Sequence, residues 1–224
     1  MSNRETPVHR WVPWIAGFSR QFVQDALTRH LSGPGVVLDP FAGVGTTLVE
    51  ADIAGHAAIG FEINPYAAFA ARAKLGAHRM GPARLMAAAA DFVAFTGESE
   101  RKGRAPKASP PAAFRTRAPF YSPAVERKVL LAFDFMERLE APVAALFRLA
   151  FAATMVGYSN YSYEPSLGRK ASVGRPEVED DDVAGVIAAK LRQMADDVAW
   201  YRDTRANPER DDGQVLEKSF FEGY

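Results

Sequence analysis

Cysteine is absent from the 224 residues. Disulfides, thiolate metal sites and cysteine nucleophiles are thereby ruled out, and the absence agrees with a reducing cytosol. Net charge is absent as well, since 27 Lys and Arg balance 27 Asp and Glu. Nucleic-acid surfaces are usually basic, so this balance argues against a large one and leaves room for a local patch. No apolar run approaches the roughly 18 residues that cross a bilayer, and the polar residues 1–10 lack the apolar core of a secretory signal. The location read from these features is cytoplasmic. Histidine is scarce and scattered: His9, His30, His56 and His78 read as surface or packing residues, and no metal site is expected. What is present, 48% hydrophobic with 24% charged residues, can bury a core. The length fits one domain, or one domain with an appendage.

Local patterns place the elements. A helix is expected over 18–31, with Ser19 as N-cap and Phe22, Ala26 and Leu27 on one side. Gly33-Pro34-Gly35 breaks it. Val36-Val37-Leu38 then reads as a buried parallel strand ending at Asp39. A glycine-bearing loop follows, and Thr46 starts a helix that stops at Gly55. Residues 57–61 form a second apolar run ending in Glu62, and Asn64-Pro65 is a strong helix start. This alternation marks an α/β unit with a parallel sheet. Residues 81–95 are alanine-rich and look helical, yet leave room for a third strand near Asp91. Further helices are expected over 122–139, 141–158 and 180–205, and a last strand over 214–221.

The chemistry concentrates in Leu38-Asp39-Pro40-Phe41-Ala42-Gly43-Val44-Gly45-Thr46-Thr47. Gly43 and Gly45 let the backbone approach a ligand with no Cβ in the way. The free N–H groups of the next helix can receive a carboxylate. Glu62, at the end of the following strand, is placed to accept both hydroxyls of a ribose. A dinucleotide fingerprint needs a third glycine where Leu48 stands, and a P-loop needs a lysine that is missing. S-adenosyl-L-methionine is the better ligand. The plainer readings are that Asp39 caps its turn, that Glu62 is an incidental acid and that Phe18 is helix core.

Asp-Pro-Phe-Ala-Gly-Val-Gly-Thr-Thr, followed by Gly60-Phe61-Glu62-Ile63-Asn64-Pro65, resembles the cofactor motif of the amino-group DNA methyltransferases, which make N6-methyladenine or N4-methylcytosine. The resemblance covers residues 11–75. It implies a Rossmann-like fold with an incomplete parallel sheet and a helical insertion. It implies that Asp39, Phe41, Gly43 and Gly45 surround the methionine part of the cofactor, above Thr46 and Thr47. Glu62 would hold the ribose, Asn64 would lie near the adenine, and Phe18 and Ser19, in the segment from Trp14 to Leu27, would approach the methionine carboxylate. Asp91 is a possible third acidic contact or a solvated helix acid.

The family's Asp/Asn/Ser-Pro-Pro-aromatic motif is not found. Ser109-Pro110-Pro111 is followed by Ala112, and Tyr163-Glu164-Pro165 comes no closer. The expected organisation is a cofactor-binding half over 1–100, a helical insertion over 101–212 and the start of a further strand over 213–224. A split enzyme is expected, with the catalytic motif on a second polypeptide due beyond Tyr224; a degenerate remnant is the alternative. Two segments are candidates for DNA contact. Arg101, Lys102, Arg104, Lys107, Arg115 and Arg117 form a basic linker, which can equally be a solvated loop. The loop 158–163, followed by Arg169 and Lys170, joins aromatic rings, amide groups and positive charge. The family carries a similar Ser-Asn and basic pair, so Asn160, Tyr161, Arg169 and Lys170 are expected near the base, or else at the interface with the missing half. Rival functions are an RNA methyltransferase and a non-catalytic binding subunit.

Overall fold

The computed structural model describes residues 3–12, 17–112, 116, 118–163, 167–210 and 213–222. Trp14, Arg115, Arg117, Glu164, Pro165 and Tyr224, which figure in the sequence reading, lie outside them. The apolar run after Gly35 forms strand β1 (Val36–Asp39), and the glycine loop leads into helix α2 (Thr46–Ile53). Strand β2 (Ala57–Phe61) returns parallel to β1, with Val36 opposite Ala57 and Asp39 opposite Gly60. The last described strand, β5 (Gln214–Leu216), pairs parallel to β2 on its other side, with Ile59 opposite Gln214. The sheet order is therefore β1-β2-β5, and β1 is an edge. The chain is α/β with a three-stranded parallel sheet.

The helix caps follow from residue chemistry. Ser19 Oγ accepts the Phe22 N–H at 3.2 Å at the start of α1 (Arg20–His30). Asn64 Oδ1 accepts from Tyr66 and Ala67 at 3.0 and 3.2 Å at the start of α3 (Pro65–Leu75), with proline at the first helical position. Val23 and Leu27 of α1, Leu48 and Ala51 of α2, Ala58 of β2 and Leu75 of α3 meet in one apolar core, with Val37 and Val215 against it.

The chain divides into two compact units, Met1–Pro82 with Met194–Tyr224, and Ala83–Gln193. The first holds the sheet, α1 to α3 and the C-terminal part of α7 (Val183–Thr204). Three buried acids cross-link it. Asp52 accepts from Tyr201 Oη at 2.6 Å and from Arg205 Nε at 2.8 Å. Asp197 accepts from the Val8 N–H and from Trp11 Nε1 at 2.9 and 2.7 Å, and binds Arg10. Glu50 binds His9 Nε2 at 2.7 Å and accepts from Gln24. Each acid is buried but multiply bonded, which is the condition under which a buried charge is tolerated.

The second unit is helical. The alanine-rich stretch that left room for a strand is one helix, α4 (Pro82–Arg101), so Asp91 stands exposed on a helix. Alanine is the strongest helix former, and Leu85, Ala88, Ala89, Phe92 and Phe95 are the buried apolar residues of α4, at helical spacing. Helices α5 (Pro123–Met136) and α6 (Ala141–Thr154) complete an aromatic core in which Phe92 lies 5.2 Å from Phe135 and 4.9 Å from Phe147. The described part of the basic linker is tethered: Asp134 accepts the N–H groups of Lys107 and Ala108 at 2.9 and 2.8 Å, and Arg127 donates to the Arg104 carbonyl. The polar loop after α6 contains a short antiparallel ladder, β3 (Tyr161–Ser162) with β4 (Gly168–Arg169).

Candidate cofactor site

The site lies at the carboxyl end of β1, where the chain leaves the sheet and turns into α2. Asp39 is buried, and its Oδ1 accepts the Phe41 N–H at 3.0 Å, which fixes the first turn of the loop. Ala42 N–H donates to the Phe61 carbonyl at 2.9 Å and ties the loop to β2. Gly43 and Gly45 both have positive φ, 52° and 83°, a region that L side chains avoid. At Gly45 a Cβ would also stand 2.9 Å from the Cβ of Ala71 on α3. Glycine there serves the left-handed turn and the close approach of two helices. Gly45 is the residue before α2, and no side chain caps the first N–H groups of that helix. Those donors face the loop and suit a carboxylate.

Glu62 closes the arrangement. Its Oε2 accepts the Gly43 N–H at 2.8 Å and its Oε1 accepts the Asn64 N–H at 2.7 Å. A carboxylate has about four lone-pair positions, so each oxygen keeps one for an added hydroxyl. Asn64 is exposed and is spent as the cap of α3. A cavity of about 320 Å³ is lined by Gly17, Phe18, the run 39–44, Thr46 and Thr47. Thr46 is buried, Thr47 is half-buried, and Phe18 and Phe41 expose large apolar rings at 54% and 72%. Ser19 lines an adjoining cavity of about 220 Å³, which shares Gly17, Phe18, Val44 and Thr46 with the first. Buried His9 and Lys74 also line it. Burial holds the His9 imidazole below the ordinary histidine value, against the pull of Glu50. Neither residue stood out in the sequence, because nothing local marks a lysine or histidine as buried.

Phe18, Ser19, Asp39, Phe41, Gly43, Thr46 and Thr47 thus line two adjoining cavities, while Gly45 lines neither and packs against Ala71. Glu62 and Asn64 sit just outside the lining, tethered through Gly43. The other predicted cluster lies in the second unit. Asn160 and Tyr161 are only 8% and 9% exposed. Asn160 Oδ1 accepts the Val178 N–H at 2.8 Å, and Tyr161 stacks on Phe120 at 5.1 Å. Arg169 pairs with Glu177, and Lys170 Nζ donates to the Gly157 carbonyl at 3.0 Å. Tyr163 is 66% exposed. A larger cavity, of about 590 Å³, lies in this unit and is lined mainly by apolar residues such as Phe120, Val129, Leu130 and Phe151. Its polar groups do not converge as those of the glycine loop do, so the loop is the better candidate for a cofactor site.

Residues 14–72 match the family of DNA methylases that modify amino nitrogens at N6 and N4. That match covers about a quarter of the chain, and over it the chain is similar to the amino-group DNA methyltransferases. It is similar to the type II methyltransferase M.BsoBI of Geobacillus stearothermophilus, with 37% identity over 65 residues, 29% of this chain and 13% of that protein. It is also similar to the type II methyltransferase M.MjaII of Methanocaldococcus jannaschii, with 38% identity over 72 residues, 32% of this chain and 14% of that protein. The matched segment therefore spans about a seventh of the length of these relatives, and it contains β1, the glycine loop, β2 and most of α3. No solved structure matches the chain. Among the described residues no helix is long and apolar enough to cross a membrane, and no group of three or more acids and histidines could hold a metal ion.

Proposed function

We propose that the chain is the cofactor-binding half of a DNA methyltransferase that acts on adenine N6 or cytosine N4, with S-adenosyl-L-methionine as methyl donor. The sheet would be part of a Rossmann-like fold completed by other material. The observation that carries this reading is Glu62, whose two oxygens hold the glycine loop and the start of α3 while keeping acceptor capacity for a ribose. When bound, the cofactor supplies an electrophilic methyl carbon. The residues of this chain bind and orient it. The open N–H groups of α2 and the hydroxyls of Ser19 and Thr46 would take the amino-acid end, Gly43 and Gly45 would let it approach the backbone, and Phe18 and Phe41 would exclude water. Positioning of this kind accounts for much of the acceleration in a transfer between two bound partners.

These 224 residues hold no Asp/Asn/Ser-Pro-Pro-aromatic segment; in this reading the groups that touch the target nitrogen come from a second polypeptide. Exposed Lys107 and Tyr163, with Arg169 and Lys170, are the DNA-facing candidates of this chain. Asn160 and Tyr161 would support that loop from within, given their burial. Methyl transfer from labelled cofactor is the test. Incorporation into duplex DNA only when a companion chain is supplied is expected. Transfer to tRNA instead would move the reading to RNA, and cofactor binding without turnover on any substrate would make the chain a binding subunit.

A further inference from the structure

We infer that Nδ1 of His9 is the acceptor for the α-ammonium group of S-adenosyl-L-methionine, in the cavity of about 220 Å³ beside the glycine loop; this rests on the functional reading above. His9 lies before the residues 14–72 that match the methylases, so that match assigns it no role. Its side chain is almost fully buried, and it lines the cavity with Asn3, Arg4, Ser19, Thr46 and Lys74. Its pairing with Glu50 fixes which ring nitrogen holds the proton. Glu50 accepts from Gln24 Nε2 at 2.8 Å and from Arg20 Nε at 3.2 Å. It therefore stands as an acceptor, and His9 Nε2, 2.7 Å from Glu50 Oε1, is the donor. Burial disfavours the charged ring, so Nδ1 carries a lone pair and no hydrogen. That atom is buried and has no hydrogen-bond partner among the described residues. An unmet buried acceptor is costly, and this one belongs to a residue on a cavity wall, where a ligand can meet it.

The backbone before His9 is strained. Val8 has φ 66°, a conformation that β-branched residues scarcely adopt. Asp197 holds this turn in place: it accepts the Val8 N–H at 2.9 Å and Trp11 Nε1 at 2.7 Å, and it pairs with Arg10. Strain fixed by surrounding structure gathers at preorganised sites. The occupant follows from the charges. Glu50 on α2, Arg20 on α1 and Lys74 on α3 act on the His9 ring, and Arg4 lines the same cavity. A lone acceptor among cations suits neither a metal ion nor a simple amine. It suits a zwitterion, whose ammonium donates to the acceptor while its carboxylate answers the positive charge and the open N–H groups of α2. The methionine end of the cofactor is such a group. The cavity shares Gly17, Phe18, Val44 and Thr46 with the one at the glycine loop, so one ligand can occupy both.

The test titrates the full chain by calorimetry with S-adenosyl-L-methionine and with the analogue that carries hydrogen in place of the α-amino group. The unchanged protein is compared with His9→Gln, in which glutamine keeps a donor for Glu50 and takes the acceptor away from the Nδ1 position. The preference of the unchanged protein for S-adenosyl-L-methionine over the analogue should exceed that of the variant by at least about tenfold, as expected for a hydrogen bond from a charged donor. A merely structural role for His9 would weaken both ligands alike and leave the preference as it was. Nitrogen NMR of the unchanged protein with labelled histidine needs no variant. The free chain should show a His9 ring protonated at Nε2, and its Nδ1 signal should move with S-adenosyl-L-methionine and stay in place with the analogue. Equal preference in the two proteins, a ring protonated at Nδ1, or an Nδ1 signal indifferent to the α-amino group would overturn the inference and leave the functional reading intact. A chain that binds neither compound would overturn the functional reading, and the inference with it.

Discussion

Single residues decide more here than their sequence context suggests. Asp52 and Arg205 are 153 positions apart, and both side chains are almost fully buried. Nothing local in the sequence marks either as a partner, so this ion pair, like those of Glu50 and Asp197, was not legible. Removing one member leaves a buried charge uncompensated. Asp52→Ala should therefore cost about 3–5 kcal/mol, read from denaturant unfolding. His9 offers a pH signature. Its imidazole is held below the ordinary value of 6.5, chiefly by burial. The unfolded chain then binds a proton at higher pH than the folded one, so stability is full above about 6.5 and declines as pH falls below it. Unfolding midpoints at pH 7.5 and 5.5 should differ less in His9→Gln than in the unchanged protein. An equal or larger difference would show that other groups govern the acid limb.

At the scale of elements, the two strands and the caps were readable because each rests on local chemistry. Val36-Val37-Leu38 follows a Gly-Pro-Gly break, Ser19 and Asn64 cap as their types predict, and β2 has the predicted ends. The stretch 81–95 was ambiguous because its alanines carry no clear period of either kind, and tertiary packing settles it as α4. The ladder β3–β4 was invisible, since strands of two residues show no alternation. The glycine loop makes an element-level prediction. Gly45→Ala places a Cβ in left-handed backbone and 2.9 Å from Ala71, so α2 and α3 must separate. A loss of about 1–3 kcal/mol is expected, together with weaker cofactor binding. Ser122 Oγ accepts the Val125 N–H at the start of α5, and Ser122→Ala should cost about 1 kcal/mol with no effect on that binding. Thermal unfolding and titration of the two variants side by side separate a general loss of stability from a loss specific to the loop.

The whole molecule combines a segment of 59 residues that matches the amino-group DNA methylases with a helical unit that lies outside that match. Among the described residues its parallel sheet has three strands, and Val36 and Leu38 of β1 are exposed. The central claim is that the glycine loop and Glu62 bind the methyl donor. Calorimetric titration with S-adenosyl-L-methionine tests it most directly, on the unchanged chain, on Glu62→Gln, which keeps an acceptor for the Gly43 N–H, and on Glu62→Ala. One site on the unchanged chain is predicted, weakened at least about tenfold in both variants, as expected for hydrogen bonds to a charged acceptor. Equal affinity in all three proteins would place the donor elsewhere, and no binding by the unchanged chain, alone or with its companion, would contradict the account.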